Sequence, residues 1–292
     1  MEINAINKTT FSQKMKLYRR SPVSFILFLL VTMSALITIL VLGFLIGYIL
    51  VKGIPSLSLD LFSWKYTSEN VSMMPAIINT LIMTGISLLI AVPFGIFSAI
   101  YLVEYAKKGN KIVGIVRVTA ETLSGIPSIV YGLFGMLFFV VALGWGYSIL
   151  AGAFTLAIMV LPVIMRTTEE ALIAVPDSYR EGSFGLGAGK LVTIFKIVLP
   201  SAVPGILAGV ILAIGRIVGE TAALMYTAGT VADIPNSLFG SGRTLAIHMY
   251  SLSREGLHTD ESYATAVVLL VIVMIINWLS GFLAKKISKG NN

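Results

Sequence analysis

The chain has 292 residues, 57% hydrophobic and 12% charged, with a formal net charge of +7. A soluble domain carries about 25% charged residues. With a mean hydropathy of +0.92, composition argues against a soluble enzyme and excludes a disordered chain, which would be polar and highly charged. The absence of cysteine removes disulfides, thiolate nucleophiles and cysteine metal sites. Two histidines, His248 and His258, are too few for a multi-histidine metal centre.

In chain order, uncharged runs cover Ser21 to Val51, Asn70 to Val103, Thr122 to Met165, Ile197 to Gly215 and Ser262 to Ala284. A helix needs roughly 20 apolar residues to cross the hydrocarbon core. The third run has 44 residues and divides into two spans at the Gly144–Tyr147 turn. The fold class is therefore an all-α membrane protein of six transmembrane helices. Barrel strands would alternate and be shorter. The first run is about twice the length of a signal-peptide apolar core and shows no small-residue cleavage site, so it reads as a retained anchor.

The predicted organisation is a tail at 1–20, a first transmembrane helix at 21–52, and a five-helix core at 74–286 with a loop at 166–196. Lys and Arg set the orientation. Sixteen fall in the two tails and in the loops after the predicted second and fourth spans. Lys52, Lys65, Arg243 and Arg254 make four on the other side. This asymmetry predicts that both termini are cytoplasmic. The basic charge then belongs to membrane topology, and no nucleic-acid partner is expected.

The 166–196 loop has internal order. Ser178 and Glu181 have capping-box spacing, which predicts a helix starting there. Gly187 and Gly189 can end it in the left-handed conformation. A short helix outside the bilayer suits docking to a partner, although an idle amphipathic turn would read the same way. Gly185 to Lys190 superficially suggests a phosphate-binding loop. Phe184 stands where that pattern needs glycine, and Leu191 where it needs Ser or Thr.

Arg216 and Glu220 fall inside the fifth span, four residues apart and on one predicted face. Gly205, Gly209, Gly215 and Gly219 share that stripe, which suits close helix packing. The pair is therefore expected to face protein or a cavity rather than lipid. Two readings are open: a structural ion pair, or an anion site in which Glu220 orients Arg216. A guanidinium fork suits a tetrahedral oxyanion. Arg166, near the end of the fourth span, is either a snorkelling anchor pairing with Glu169 or Glu170, or a second anion contact. Glu121 is assigned structural pairing, about a turn after Arg117. Gly125, Pro127 and Pro162 predict interruptions of the third and fourth spans. His248 and His258 are expected at the surface of the loop 231–261, with a short helix around Thr244 to Ser251.

Glu181, Gly182, Ser183, Gly187, Ile197, Leu199 and Pro200 resemble the EAA motif of ABC importer permeases in spacing. Gly182 and Ser183 replace its two alanines. Glu121 to Gly132, Leu161 to Ala171 and Gly215 to Ala223 are similar to the phosphate-specific (Pst) permeases. Arg166-Thr-Thr-Glu-Glu170 and Thr227-Ala-Gly229 look more like the PstA-type subunit than the PstC-type. The resemblance implies a type I ABC importer permease fold and phosphate import by alternating access. It makes Ser178, Glu181, Gly182, Ser183, Gly187, Leu199 and Pro200 an ATPase-coupling element, and Arg216 and Arg166 phosphate contacts. Implied partners are a PstC-type permease, a PstB-type ATPase dimer and an extracytoplasmic PstS-type binding protein. No cofactor is implied, and ATP hydrolysis belongs to another chain. Sulfate, molybdate or phosphonate as cargo remains open. A secondary transporter would need an inverted repeat, and no second copy of the Arg216–Glu220 pattern is present.

Overall fold

The computed structural model describes residues 22–289 apart from Lys108, with side chains up to residue 282. The predicted tail at 1–20, Lys108 and the side chains of Lys285, Lys286 and Lys289 lie outside the described residues. Among the described residues, every regular element is helical. Five helices are long and apolar enough to cross a membrane, or six if one bent pair counts as a single span. The chain divides into two compact units, residues 1–52 and 53–292.

The first unit is essentially α1 (Pro22–Gly53). It is apolar on every side, with a mean hydropathy of 2.9 over its most apolar stretch. A helix without a polar face suits lipid. The hydroxyls of Thr32 and Thr38 donate to the carbonyls of Phe28 and Ser34, four residues back. Neither therefore brings an unsatisfied hydroxyl donor into the bilayer.

In the second unit a 3-10 turn at Leu59–Phe62 precedes α2 (Met74–Ile100), which continues through a π turn at Tyr101–Tyr105. Next come α3 (Lys111–Ser124) and α4 (Ser128–Gly135), the latter extended by a π turn at Met136–Ala142. The interruption predicted at Gly125 and Pro127 is a full break, and the two helices meet at 102°. Pro127 has no N–H to donate and biases Ile126 away from helical geometry. Pro162 behaves differently: α5 (Ile149–Ile173) passes through it unbroken. This helix is the most enclosed of the five single-helix candidate spans.

The core forms around α5. Leu156, Met159, Val160 and Ile164 pack with Met83 and Ala91 of α2. Glycines let neighbouring backbones approach. A β-carbon added to Gly95 would stand 2.8 Å from Ile164 Cγ2. In lipid, helices associate through such close packing rather than through exclusion of water.

After α5 come α6 (Asp177–Gly185), α7 (Lys190–Thr193) with a π turn at Ile194–Val198, α8 (Leu199–Val218) and α9 (Ala222–Met225). Residues 226–244 then fold back over the start of α5. Ser148, Ile149 and Leu150 donate their backbone N–H groups to the carbonyls of Thr227, Gly240 and Leu238. The Ser148 hydroxyl accepts from Ala151 N. Four donors that a helix start leaves free are thereby satisfied. From α2, Asn79 Nδ2 donates to the carbonyls of Asp233 and Arg243, and Thr80 Oγ1 accepts from Leu245 N.

The last elements are α10 (Leu245–Glu255) and α11 (Thr259–Lys289). The helix expected at Thr244 to Ser251 is α10, but the surface position expected for His248 is incorrect. His248 is 0% exposed. Helical spacing puts it on the face of Leu245 and Leu252, which packs on Leu61, Val71 and Met73. Burial and the neighbouring Arg243 charge push its pKa down from 6.5 to about 3. The folded state therefore holds His248 neutral where the unfolded chain would protonate it. Stability is expected to fall as pH drops from about 6.5 towards 3, by roughly 1.4 kcal/mol per pH unit from this group. Thermal unfolding of the purified permease at pH 7.5 and pH 5 checks this. His248→Leu should flatten the difference.

Candidate functional site

Arg216 lies in the last turn of α8, where a cation complements the helix C-terminus. Its predicted pairing with Glu220 is absent: no ion pair within 4.0 Å joins them among the described residues. The physical reason is that α8 stops at Val218, so four-residue helical spacing does not reach Glu220. Glu220 is instead buried, and its Oε1 accepts from Ala223 N at the start of α9. It caps a turn rather than orienting Arg216.

The glycine stripe is also split. A β-carbon on Gly205 would stand 2.6 Å from Ala171 Cβ, and one on Gly209 would overlap Thr167. These two glycines pack on α5. A β-carbon on Gly215 would meet nothing within 4 Å. Ala213, Ile214, Ile217 and Val218 form the buried side of this part of α8. Arg216 is half-buried and shares the opposite side with exposed Ala208, Leu212 and Gly219. Leu212 is 60% exposed.

Tyr131 lies in the first turn of α4. The Tyr131 hydroxyl donates to the Leu123 carbonyl at 2.8 Å, across the 102° break. In the same region, a β-carbon on Gly132 would stand 2.7 Å from Ala223 Cα. Two helix interruptions, 125–127 and 219–221, thus lie close together beside one half-buried guanidinium.

Arg166 stands near the other end of the bundle, in the part of α5 closest in sequence to α6. Its Nε donates to Glu170 Oε1 at 3.2 Å, and its Nη1 is 3.6 Å from Glu121 Oε1 of α3. Arg117 of α3 pairs with Glu169 of α5. The assignment of Glu121 to structural pairing therefore stands with a different partner, Arg166 rather than Arg117. These residues line a cavity of about 300 Å³. With two carboxylates beside it, Arg166 is locally compensated in this conformation.

The predicted loop helix is present as α6, without its capping box. The helix starts one residue early, at Asp177, and makes no side-chain cap. The Asp177 carboxylate accepts from Arg180 Nη1 at 3.2 Å. Gly187 is left-handed (φ 81°) as expected, whereas Gly189, at φ −74°, precedes α7 as its N-cap. Gly182 and Ser183 point differently. Gly182 is exposed with nothing near its Cα hydrogen, while Ser183 is buried with Oγ 2.8 Å from Thr193 Oγ1. Glu181, Tyr179, Phe184 and Leu186 are exposed. Leu199 packs partly on the adjacent core, and Pro200 fits the first turn of α8, which needs no N–H there. Lys190 lies over the Tyr105 ring at 4.7 Å, a role unrelated to phosphate binding by a loop.

Sequence reasoning overlooked Arg180 and Glu104. Arg180 Nε and Nη2 both donate to Glu104 Oε1, at 3.1 and 2.8 Å. The sequence signal was weak: Arg180 counted as one topological charge among sixteen.

Residues 91–289 match the family described as binding-protein-dependent transport system inner membrane component. The chain belongs to that family. Among its relatives as a permease, the probable ABC transporter permease protein YqgI of Bacillus subtilis is 34% identical over 87% of this chain and 94% of its own length. The phosphate transport system permease protein PstA of Pasteurella multocida is 36% identical over 78% and 82%. PstA 1 of Mycobacterium tuberculosis is 37% identical over 69% and 67%. The fold matches a permease chain of a bacterial alginate ABC transporter, with TM-score 0.67, 16% identity, and 94% and 99% of the two chains covered. A chain of the MetNI methionine transporter gives TM-score 0.53 at 21% identity, over 75% and 94%. The permease is thus a multi-pass plasma-membrane protein of the type I ABC importer fold.

Proposed function

We propose that this permease is the PstA-type subunit of an importer that carries inorganic phosphate into the cytoplasm. The observation that carries this reading is the open side of α8. A guanidinium facing hydrocarbon is costly, and the described residues leave the Arg216 side of α8 uncovered. A second permease subunit would cover it, and the two faces would enclose a basic, water-accessible path. The implied partner is the PstC-type chain. The names of the PstA relatives support phosphate as cargo, and a guanidinium with no ion pair among the described residues fits a tetrahedral oxyanion.

The positive-inside pattern supports a cytoplasmic location for both termini and α6. There α6, through Glu181, Gly182 and the flanking Ser178 and Gly187, would sit against a PstB-type ATPase dimer. Leu199 and Pro200, the first residues of α8, would follow that element. A PstS-type protein would deliver phosphate to the opposite end, where Arg216 lies. Closure of the ATPases would move α6 and change the side to which Arg216 is accessible. Delivery can bias that equilibrium only if the loaded binding protein prefers the outward-open state. Desolvating phosphate is expensive, so the path stays wet and the anion passes without a tight, dry site. Arg166 becomes available on the exit side once α3 shifts and withdraws Glu121.

Uptake of labelled phosphate at low concentration tests the cargo, in cells lacking other phosphate carriers. Deleting this chain should abolish uptake, and excess sulfate, molybdate or phosphonate should not compete in the parent. Competition by one of these would reassign the cargo, and unchanged uptake on deletion would remove the phosphate reading.

A further inference from the structure

Arg180 leaves α6 on the side turned towards the spans, and its side chain is only 15% exposed. Its guanidinium reaches two other elements, α2 and α5, and the connection leading into α6. Nε and Nη2 donate to Glu104 Oε1, at the end of α2. Nη2 also donates to the Leu172 carbonyl in the last turn of α5, at 2.9 Å. Nη1 donates to the Val175 carbonyl at 2.8 Å and to Asp177 at 3.2 Å. Glu104 is as enclosed as its partner, with 10% of its side chain exposed. Two of the acceptors are carbonyls at a helix end, where intrahelical donors run out and the dipole favours a cation. A planar fork can serve all of these at once; a lysine ammonium cannot.

The position of Glu104 matters because α2 is long and continuous. It runs unbroken from Met74 through Tyr105. At its far end, Asn79 and Thr80 hold residues 233, 243 and 245 of the segment that folds back over α5. Glu104 and Asn79 are 25 residues apart in sequence, which is about 37 Å along a helix. Displacing α6 therefore pulls on one end of a rod whose other end is hydrogen-bonded to the segment following α9.

We propose that the Arg180–Glu104 pair is the strut that transmits movement of α6 into α2, making Arg180 a positioning residue for coupling ATP hydrolysis to transport. This rests on reading α6 as the ATPase-docking helix. A mere folding contact would change how much complex forms, whereas a strut sets how much cargo moves per ATP.

The test uses the complete transporter in proteoliposomes, with ATP hydrolysed and labelled phosphate imported measured together. Arg180→Lys and Glu104→Gln should each lower phosphate imported per ATP about fivefold or more. The exchange Arg180→Glu with Glu104→Arg should recover part of the loss in Glu104→Arg alone. An unchanged ratio in both conservative variants would overturn the proposal. So would loss of assembled complex with a normal ratio in what remains, or failure of both variants to assemble, since each marks a folding contact. Failure of the underlying reading shows separately: the ATPase would then still co-purify when the exposed face of α6 is altered at Gly182.

Discussion

Arg216→Gln is expected to reduce the maximal rate of phosphate uptake about tenfold to a hundredfold, with unchanged amounts of permease in the membrane. Hydrogen bonds to charged groups contribute about 1.5–3 kcal/mol each, and a factor of ten corresponds to about 1.4 kcal/mol. Arg216 is half-buried and makes no described ion pair, so removing its charge strands no buried carboxylate. The fold should tolerate the change for that reason. Arg216→Lys should retain partial activity, because a point charge still attracts the anion but loses the fork. Glu220→Gln should matter much less, since an amide oxygen can still accept from Ala223 N. Initial uptake rates across phosphate concentrations, normalised to permease level, check all three. A Glu220→Gln defect as deep as that of Arg216→Gln would restore the paired reading that the helix end at Val218 argues against.

The second large effect concerns α6. Gly182→Leu is expected to abolish co-purification of the ATPase, and with it uptake, while the permease still folds. A β-carbon at Gly182 meets nothing within 4 Å among the described residues, so the substitution is expected to leave their packing intact. If a partner's groove receives this exposed face, a leucine there clashes with it directly. Ser183→Leu is the contrast. Ser183 is buried against Thr193, and a larger side chain there should lower the permease level itself. Overpacking of this kind typically costs about 1–3 kcal/mol. Membrane levels and affinity purification of the two variants separate a docking face from a packing face.

The spans were readable because an uncharged run of sufficient length has few alternatives, and the positive charges between runs divide consistently. The left-handed Gly187 was readable for a similarly local reason: glycine accepts a positive φ without strain. What periodicity missed were the helix ends. Extrapolating 3.6-residue spacing past Val218 produced the Arg216–Glu220 face, although a cation at Arg216 and a glycine at Gly219, directly after Val218, are the ordinary local marks of a helix end. The same applies to Ser178 and Glu181, whose spacing is correct but whose helix begins at Asp177. Pro162 and Pro127 are the same residue type with opposite outcomes. One is enclosed within α5, while the other stands beside a glycine at a break. Long-range pairs such as Arg180 with Glu104, and the burial of His248, depend on elements far apart in sequence.

The most direct test of an Arg216-lined path uses the natural absence of cysteine. Gly215 adjoins Arg216, and a β-carbon there would meet nothing within 4 Å among the described residues. Gly215→Cys in the assembled transporter would be treated with a membrane-impermeant thiol reagent from each side, at rest and with the ATPases trapped closed by vanadate. The cysteine should react, and the side from which it reacts should change with the state of the ATPases. A cysteine inert from both sides in both states would contradict it, placing this face of α8 in lipid or dry protein rather than on a water-filled path.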